Sequence, residues 1–199
     1  MPLETWNPFQ LLFERDSNRS SSPDIAFAAR EPGVPVVGVC LVEPYDGADT
    51  AGANAAIQRL LASRHVAVVP IDTRLDINTT GLRTKAEVES LLGRMDAVVT
   101  TRLHGTVLAL KHGVPVVAID PEPGGFRLKR QADAIGWPMI FTVDALDEKA
   151  LQGALDYCLT DAARLKADEV RARARNGVVQ IRRNFLDALA AAKPSGSAR

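Results

Sequence analysis

Arg102 and His104 are the two residues of this sequence whose types and spacing best suit chemistry. A single residue separates them, so their side chains point the same way if the chain is extended here. Arginine carries a permanent, fork-shaped cation that suits a carboxylate or a phosphate, and histidine titrates near neutral pH. The pair indicates an anionic substrate and a proton transfer. From spacing alone, a structural ion pair of Arg102 and a capping or packing role of His104 stay equally open.

The elements around this pair form a strand-turn-helix-strand unit. The run from Ala97 to Thr100 predicts a buried strand, residues 101–105 a turn, and Thr106 to His112 a short helix that ends at Gly113. Val114 to Ile119 predicts a second buried strand. Ligands of open parallel sheets bind at the carboxyl ends of strands, where a helix amino terminus offers N–H groups to anions. The further candidates for an anion pocket in this turn are Thr101 and the backbone N–H groups of Gly105 and Thr106.

The flanks of the turn resemble a known family. Thr-Thr-Arg-Leu-His-Gly-Thr-Val-Leu-Ala-Leu, at residues 100–110, and the following Gly-Val-Pro-Val-Val-Ala-Ile-Asp resemble the signature of the polysaccharide pyruvyl transferases. Members of that family move a pyruvyl group from phosphoenolpyruvate to a sugar, commonly as a cyclic ketal. Their fold has two domains and is similar to that of GT-B glycosyltransferases, with this motif in the carboxyl-terminal domain. The resemblance implies that His104 is the general acid or acid/base and that Arg102 holds an anionic group of the donor.

The loop that begins at Asp72 is a second candidate, because it follows the predicted strand from His65 to Ile71 and lies at the same edge of the sheet. Asp72, Arg74 and Asp76 alternate along this loop, which directs them together if the segment is extended. Two carboxylates beside a cation would bind sugar hydroxyls or provide a general base. The alternative is a solvated loop with a local Asp–Arg ion pair.

The segment Pro-Glu-Pro-Gly-Gly at residues 121–125 predicts a turn in which Gly124 and Gly125 allow the backbone to approach a ligand closely. Members of the resembled family often have a lysine just after this turn. An alignment on the following Arg-Gln-Ala makes Arg127 the matching position, and a looser alignment makes it Lys129. Either cation would meet a phosphate, although basic residues on helices are more often only solvated.

Alternating strands and helices predict an α/β domain with a doubly wound, mostly parallel, Rossmann-like sheet. The resemblance makes this domain similar to the carboxyl-terminal half of a GT-B-type fold. The expected organisation is an extension and linker at residues 1–22, the Rossmann-like domain at 23–160, and a charged helical region at 161–199. That last region is expected to be interrupted at Asn176-Gly177 and to end in a disordered tail. The glycine-rich nucleotide fingerprint is absent after the first strand, which argues against a dehydrogenase.

The composition excludes several classes of function. The 24 basic and 24 acidic residues cancel, which gives no reason to expect nucleic acid or an anionic membrane as a partner. No apolar stretch is long enough to span a bilayer, and the amino terminus lacks a signal pattern, so a cytoplasmic protein is expected. Cys40 and Cys158 are interpreted as buried thiols without metal-ligand spacing. Neither a metal nor another cofactor is expected.

The resemblance begins near Pro23, and too few residues precede it to form the first domain of the family. We therefore expect the isolated chain to bind phosphoenolpyruvate weakly and to need a partner domain or a second copy that closes the cleft over a saccharide acceptor. The apolar cluster from Trp6 to Phe13 is a candidate docking element for it. Two alternatives stay open: the donor-binding half of a GT-B glycosyltransferase, and a non-catalytic subunit or remnant. Binding of a nucleotide diphosphate without phosphoenolpyruvate would favour the first.

Overall fold

The computed structural model of the chain describes Pro8, residues 21–29 and residues 31–192. The chain divides into two units, Met1–Gly33 and Val34–Arg199. In the first unit, the 3-10 helix Ile25–Ala28 begins after Asp24, whose side chain accepts a hydrogen bond from the N–H of Ala26. The predicted cluster from Trp6 to Phe13 and the predicted tail from Pro194 lie outside the described residues.

The described part of the second unit contains one five-stranded parallel sheet. Its strands are β1 (Val36–Cys40), β2 (Ala67–Pro70), β3 (Ala97–Thr100), β4 (Val116–Asp120) and β5 (Ile140–Thr142). They lie in the order β2-β1-β3-β4-β5, so the direction of winding reverses between β1 and β3. In open α/β sheets the ligand crevice lies at the carboxyl ends of the strands at such a switch point. The prediction of a doubly wound parallel sheet is confirmed.

Helices cover both faces of this sheet. They are α1 (Thr50–Ala62), α2 (Lys85–Leu92), α3 (Leu103–Lys111), α4 (Arg127–Ile135), α5 (Glu148–Cys158) and α6 (Asp161–Ala191). One layer contains α1 and α5, the other contains α2, α3 and α4, and α6 contacts α3, α4 and α5. All residues of β3 and β4 are buried, as expected for strands covered on both sides. This explains why both strands consist mainly of β-branched residues.

Local signals set several of these boundaries. The hydroxyl of Thr84 accepts a hydrogen bond from the N–H of Glu87 at 3.2 Å, which caps α2 as predicted. Gly136 has a φ of 78° and ends α4, a conformation that glycine adopts without strain. The boundary of α3 differs from the prediction, because the helix begins at Leu103 and the turn is correspondingly shorter.

The predicted interruption at Asn176-Gly177 is wrong, since α6 is continuous from Asp161 to Ala191. A glycine inside a helix costs only about 1 kcal/mol relative to alanine, and the alanines and arginines around it favour the helix. Ala163, Ala167 and Val170 of the first half of α6 are buried against the domain. The large apolar side chains of the second half are exposed.

Cys40 and Cys158 are free thiols in the core, as predicted. Burial raises the pKa of each thiol to about 12, so both are protonated and unreactive near neutral pH. No helix among the described residues is long and apolar enough to cross a membrane.

Candidate functional site

A cleft with a volume of about 410 Å³ opens at the carboxyl edge of the sheet. Its walls come from the loops that follow β1, β2, β3 and β4 and from the start of α4. The cleft is lined by Val42, Tyr45, Thr73, Arg74, Thr101, Arg102, Leu103, His104, Asp120, Pro121, Glu122, Arg127 and Leu128. The structure thus brings together five of the predicted site residues, namely Arg74, Thr101, Arg102, His104 and Arg127.

Arg102 is the N-cap residue of α3, and its side chain is only 10% exposed. Its Nε–H donates to the carbonyl oxygen of Leu41, which follows β1. Nη1 lies 3.2 Å from Oδ1 of Asp72, and Nη2 lies 2.5 Å from Oε1 of Glu43. One guanidinium therefore joins the loops after β1, β2 and β3. Arg102 forms the structural ion pairs of the alternative interpretation and also faces the cleft.

Asp72 organises the loop after β2. Its carboxylate accepts hydrogen bonds from the N–H of Arg74 at 2.9 Å and from the N–H and hydroxyl of Thr79 at 3.0 and 3.1 Å. Burial acts to raise the pKa of Asp72, but these hydrogen bonds and the charge of Arg102 outweigh it and hold the pKa below its ordinary value. A carboxylate stabilised in its ionised form is a weak base, and Asp72 is not part of the cleft lining.

Arg74 and Asp76 form a two-point ion pair, in which Nε of Arg74 lies 3.0 Å from Oδ1 of Asp76 and Nη2 bonds Oδ2. The hydrogen bonds from Arg74 lower the pKa of the exposed Asp76 carboxyl to about 2. Arg74 lines the cleft, whereas Asp76 does not. The local Asp–Arg pair of the alternative interpretation is therefore present. Arg74 is the charged residue of this loop that lines the cleft.

The amino terminus of α3 opens onto the cleft, and its N-cap residue Arg102 makes no side-chain capping hydrogen bond. Thr106 is already inside the helix, because its N–H donates to the carbonyl of Arg102 at 3.2 Å. Gly105 lies in the first turn, where the N–H groups of an α-helix lack internal acceptors. A Cβ at Gly105 would lie 2.4 Å from Oγ1 of Thr100. Glycine here lets α3 begin close to the sheet. Gly105 and Thr106 are both buried, and neither is part of the cleft lining.

Thr101 is buried, and its hydroxyl has two partners inside the protein. Oγ1 donates to Oδ1 of Asn54 at 3.0 Å and accepts the N–H of Val42 at 2.8 Å. Thr101 therefore ties the turn after β3 to the end of β1 and to α1, and presents only a small part of its surface to the cleft.

His104 is exposed and lines the cleft. Within the described part of the chain its imidazole makes no hydrogen bond or ion pair, so both ring nitrogens are available to a ligand. The other histidines are placed differently. His65 precedes β2 at the opposite edge of the sheet, and His112 bonds Glu89 at 3.0 Å. His104 is thus the histidine that the fold places beside Arg102.

Asp120, at the end of β4, is a buried carboxylate that accepts three backbone hydrogen bonds. The donors are the N–H groups of Glu122 at 3.1 Å, Phe126 at 2.8 Å and Lys129 at 3.0 Å. The last two belong to the start of α4, so Asp120 both shapes the turn and caps that helix. The amino terminus of α4 is consequently occupied by a carboxylate of the protein itself.

Gly124 and Gly125 have φ values of 74° and 77°, which only glycine adopts readily. The N–H of Gly124 donates to Oδ1 of Asp144, and the N–H of Gly125 donates to the carbonyl of Glu122. The two glycines thus form the predicted turn, with their N–H groups already bonded within the protein.

The structure distinguishes the two cations that follow this turn. Arg127 is exposed and lines the cleft. Lys129 is not part of the lining, and its Nζ lies 3.1 Å from Oδ2 of Asp133, one turn further along α4. Arg127 is therefore the cation of this segment that can meet a ligand in the cleft.

Residues 80–123 match the polysaccharide pyruvyl transferase family. This segment contains α2, β3, the turn with Arg102 and His104, α3, β4 and the start of the turn that follows. The resemblance to this family inferred from the residues is confirmed over that segment. It covers the centre of the cleft, between the loop after β2 and the start of α4.

The solved structures that are similar to this chain include three glycosyltransferases. They are a calicheamicin glycosyltransferase (17% identity, TM-score 0.46, 82% of this chain and 44% of that chain), the glycotransferase of kitacinnamycin (16%, 0.48, 74% and 41%) and a spinosyn rhamnosyltransferase (17%, 0.42, 80% and 49%). The matched region spans less than half the length of each of these proteins. No curated protein matches this chain significantly.

Several residues at or beside the cleft were not predicted from the sequence. Glu43 contacts both Arg102 and Arg74, at 2.5 and 3.8 Å. The hydroxyl of Tyr45 donates to Oε1 of Glu122 at 3.2 Å; burial and the Glu122 carboxylate raise the pKa of Tyr45 to about 12. One signal was available, because Glu43 and Tyr45 directly follow a predicted strand at the ligand edge.

Proposed function

We propose that this chain provides the donor site of a polysaccharide-modifying transferase, which moves a pyruvyl group from phosphoenolpyruvate to a sugar hydroxyl. One observation carries the proposal, namely that the family match and two cleft residues lie in the same segment. The segment that matches the pyruvyl transferase family is the segment that places Arg102 and His104 in the cleft at the switch point of the sheet.

The charges of the cleft suit this donor. Phosphoenolpyruvate has a carboxylate and a phosphate on the same carbon of a vinyl group. Arg74 and Arg102 line the cleft from the loops after β2 and β3, Arg127 lines it from the start of α4, and the amino terminus of α3 opens onto it. Two separated anionic groups therefore find cations on more than one side, which would orient the vinyl carbon between them. The donor is itself a substrate, and the proposed reaction needs no resident cofactor.

His104 is the proposed acid. Its imidazolium would donate a proton to the methylene carbon of the donor, which makes the adjacent carbon electrophilic. The oxygen of a sugar hydroxyl bonds to that carbon, and its proton passes to a base, for which the neutral imidazole is the nearest candidate. The bond to phosphate then breaks with its electron pair remaining on the phosphate oxygen. The oxygen of a second hydroxyl of the same sugar then bonds to that carbon and closes the ketal, and its proton passes to the departing phosphate.

The acceptor requires a second surface. Orienting a hydroxyl against the donor carbon can provide about 7–11 kcal/mol of barrier reduction, and excluding water protects the activated donor from hydrolysis. We therefore include in the proposal a partner domain or a second copy of the chain that closes the cleft over the saccharide.

Calorimetric titration with phosphoenolpyruvate, using pyruvate and inorganic phosphate as controls, tests the proposal. Phosphoenolpyruvate is expected to bind more tightly than either control, because only it offers both anionic groups at the correct separation. A nucleoside diphosphate provides the contrasting arm. If it binds and phosphoenolpyruvate does not, the cleft belongs to a nucleotide-sugar transferase, and the proposal is wrong.

A further inference from the structure

The three acceptors around Arg102 are not equally fixed. The first is the backbone carbonyl of Leu41. The second, Asp72, has a side chain that is 4% exposed and is held by hydrogen bonds from Arg74 and Thr79. The third, Glu43, has a side chain that is 46% exposed. Among the described residues its carboxylate contacts only Arg102 and Arg74. Glu43 is therefore the acceptor whose separation from Arg102 costs the least free energy.

The position of Glu43 on the guanidinium matters for ligand binding. A guanidinium offers two edges for a two-point contact with an anion, one formed by Nε and Nη2 and the other by Nη1 and Nη2. Both edges include Nη2, and Nη2 of Arg102 is the atom paired with Glu43. Nε is bonded to Leu41 and Nη1 lies beside Asp72, so Nη2 is the nitrogen of Arg102 with the most exposed partner. An anion that contacts Nη2 therefore competes with the Glu43 carboxylate.

We propose that Glu43 is a built-in competitor for the anion position of Arg102, which the anionic group of the incoming ligand displaces. This inference rests on the proposed function in one respect, the use of the cleft by an anionic donor. The displaced carboxylate has a cation nearby, because Nη1 of Arg74 lies 3.8 Å from Oε1 of Glu43, and Arg74 is itself anchored by Asp76. A swing from Arg102 towards Arg74 keeps Glu43 paired while it frees Nη2.

The competition has a consequence for turnover. The reaction releases phosphate, which is an anion like the donor. Return of Glu43 to Arg102 would help to expel that phosphate, so the carboxylate weakens binding of both donor and product. Loss of Glu43 is expected to tighten the binding of each.

The test is a titration of inorganic phosphate and of phosphoenolpyruvate into the wild type and into Glu43→Gln. Glutamine keeps the length of the side chain but loses the charge. Phosphate affinity is expected to rise about 5- to 10-fold, the effect of removing one partly buried, charge-assisted contact. Glu43→Asp, which is shorter by one methylene and keeps the charge, is expected to lie between the two and tests the same idea if Glu43→Gln does not fold.

Glu148→Gln is the matched control, because it also removes an exposed carboxylate that pairs with an arginine. Oε1 of Glu148 lies 2.7 Å from Nε of Arg59, and neither residue lines the cleft. Its effect on phosphate affinity is expected to stay within about 2-fold, because this screened carboxylate contacts neither Arg102 nor Arg74. A second control is Glu43→Gln in the Arg102→Lys background, where the gain should disappear because lysine has no Nη2.

The outcomes separate this inference from the proposed function. If Glu43→Gln leaves phosphate affinity unchanged or weakens it, Glu43 positions Arg102 and the inference is overturned. The same conclusion follows if Glu148→Gln gives an equal gain. If Glu43→Gln tightens phosphate, but phosphoenolpyruvate binds no better than phosphate in either protein, the inference stands and the pyruvyl donor is wrong.

Discussion

β3 and β4 are neighbouring strands, and each leads through a short turn into a helix of the same layer. After β4, the buried Asp120 accepts hydrogen bonds from the N–H groups of Phe126 and Lys129 at the start of α4. After β3, the N-cap residue of α3 is Arg102, which makes no capping hydrogen bond with its side chain. One helix thus begins on a carboxylate of the protein, and the other begins beside a cation.

The difference shows which of the two turns suits an anionic ligand. A helix amino terminus attracts negative charge, but Asp120 already satisfies that preference at α4 and would repel a second anion. At α3 the positive end of the helix and the guanidinium of Arg102 act in the same direction. The turn after β4 therefore shapes the wall of the cleft and presents Arg127, whereas the turn after β3 is where we propose that the ligand binds.

The largest expected effect is on turnover, and it comes from the turn after β3. His104→Asn should lower the rate of pyruvyl transfer by roughly 10²–10⁴-fold, the usual contribution of a positioned acid or base. Folding should be preserved, since the imidazole is exposed and unbonded within the described residues. The rate is measured with an assembly that makes pyruvylated sugar, and thermal unfolding is the control. An unchanged rate would remove His104 from the mechanism.

The second prediction addresses the turn after β4, where Asp120 caps α4. Asp120→Ala leaves three buried or partly buried N–H groups without their acceptor, and should lower the free energy of unfolding by about 1–3 kcal/mol. Urea denaturation measures this loss. Asp144→Ala is the matched control, because the exposed Asp144 accepts one N–H, that of Gly124, in the same turn. An equal loss in the two variants would mean that Asp120 has no special role as a cap.

A comparable but more specific effect is expected at Arg102. Arg102→Lys keeps the charge but can bond only part of the set formed by Leu41, Glu43 and Asp72. Loss of the two-point fork should weaken phosphoenolpyruvate binding by about 1–3 kcal/mol. Titration of the folded variant measures the change. Wild-type affinity would assign Arg102 to structure alone and would remove the contrast between the two turns.

The smallest effect is expected at the start of α4, where Arg127 lines the cleft. Arg127→Gln should weaken donor binding by up to about 1 kcal/mol, because an exposed cation is screened by water and salt. Lys129→Gln should leave donor affinity unchanged, since Lys129 pairs with Asp133 away from the cleft lining. The same titration compares both. A larger loss in Lys129→Gln would reverse the choice that the structure makes between these cations.

Local patterns of residues were enough to predict the α/β class and most element positions. Runs of β-branched residues predicted β3 and β4 within about two residues at each end, because strands buried on both faces require such runs. Thr84 and Gly136 marked helix ends through interactions that span only a few residues. The shared location of Arg102 and His104 was also predictable, because two residues of one turn at a strand end lie close together whatever the rest of the fold is.

The surroundings of Arg102 and His104 depend on long-range packing. Glu43 contacts Arg102 because β1 and β3 are adjacent at the switch point, and no local pattern specifies that adjacency. The choice of Arg127 over Lys129 depends on the direction in which α4 leaves its turn, which Asp120 sets. Local periodicity reports which face of an element is buried. The identity of the neighbour across a cleft depends on strand order, which is fixed by packing over the whole domain.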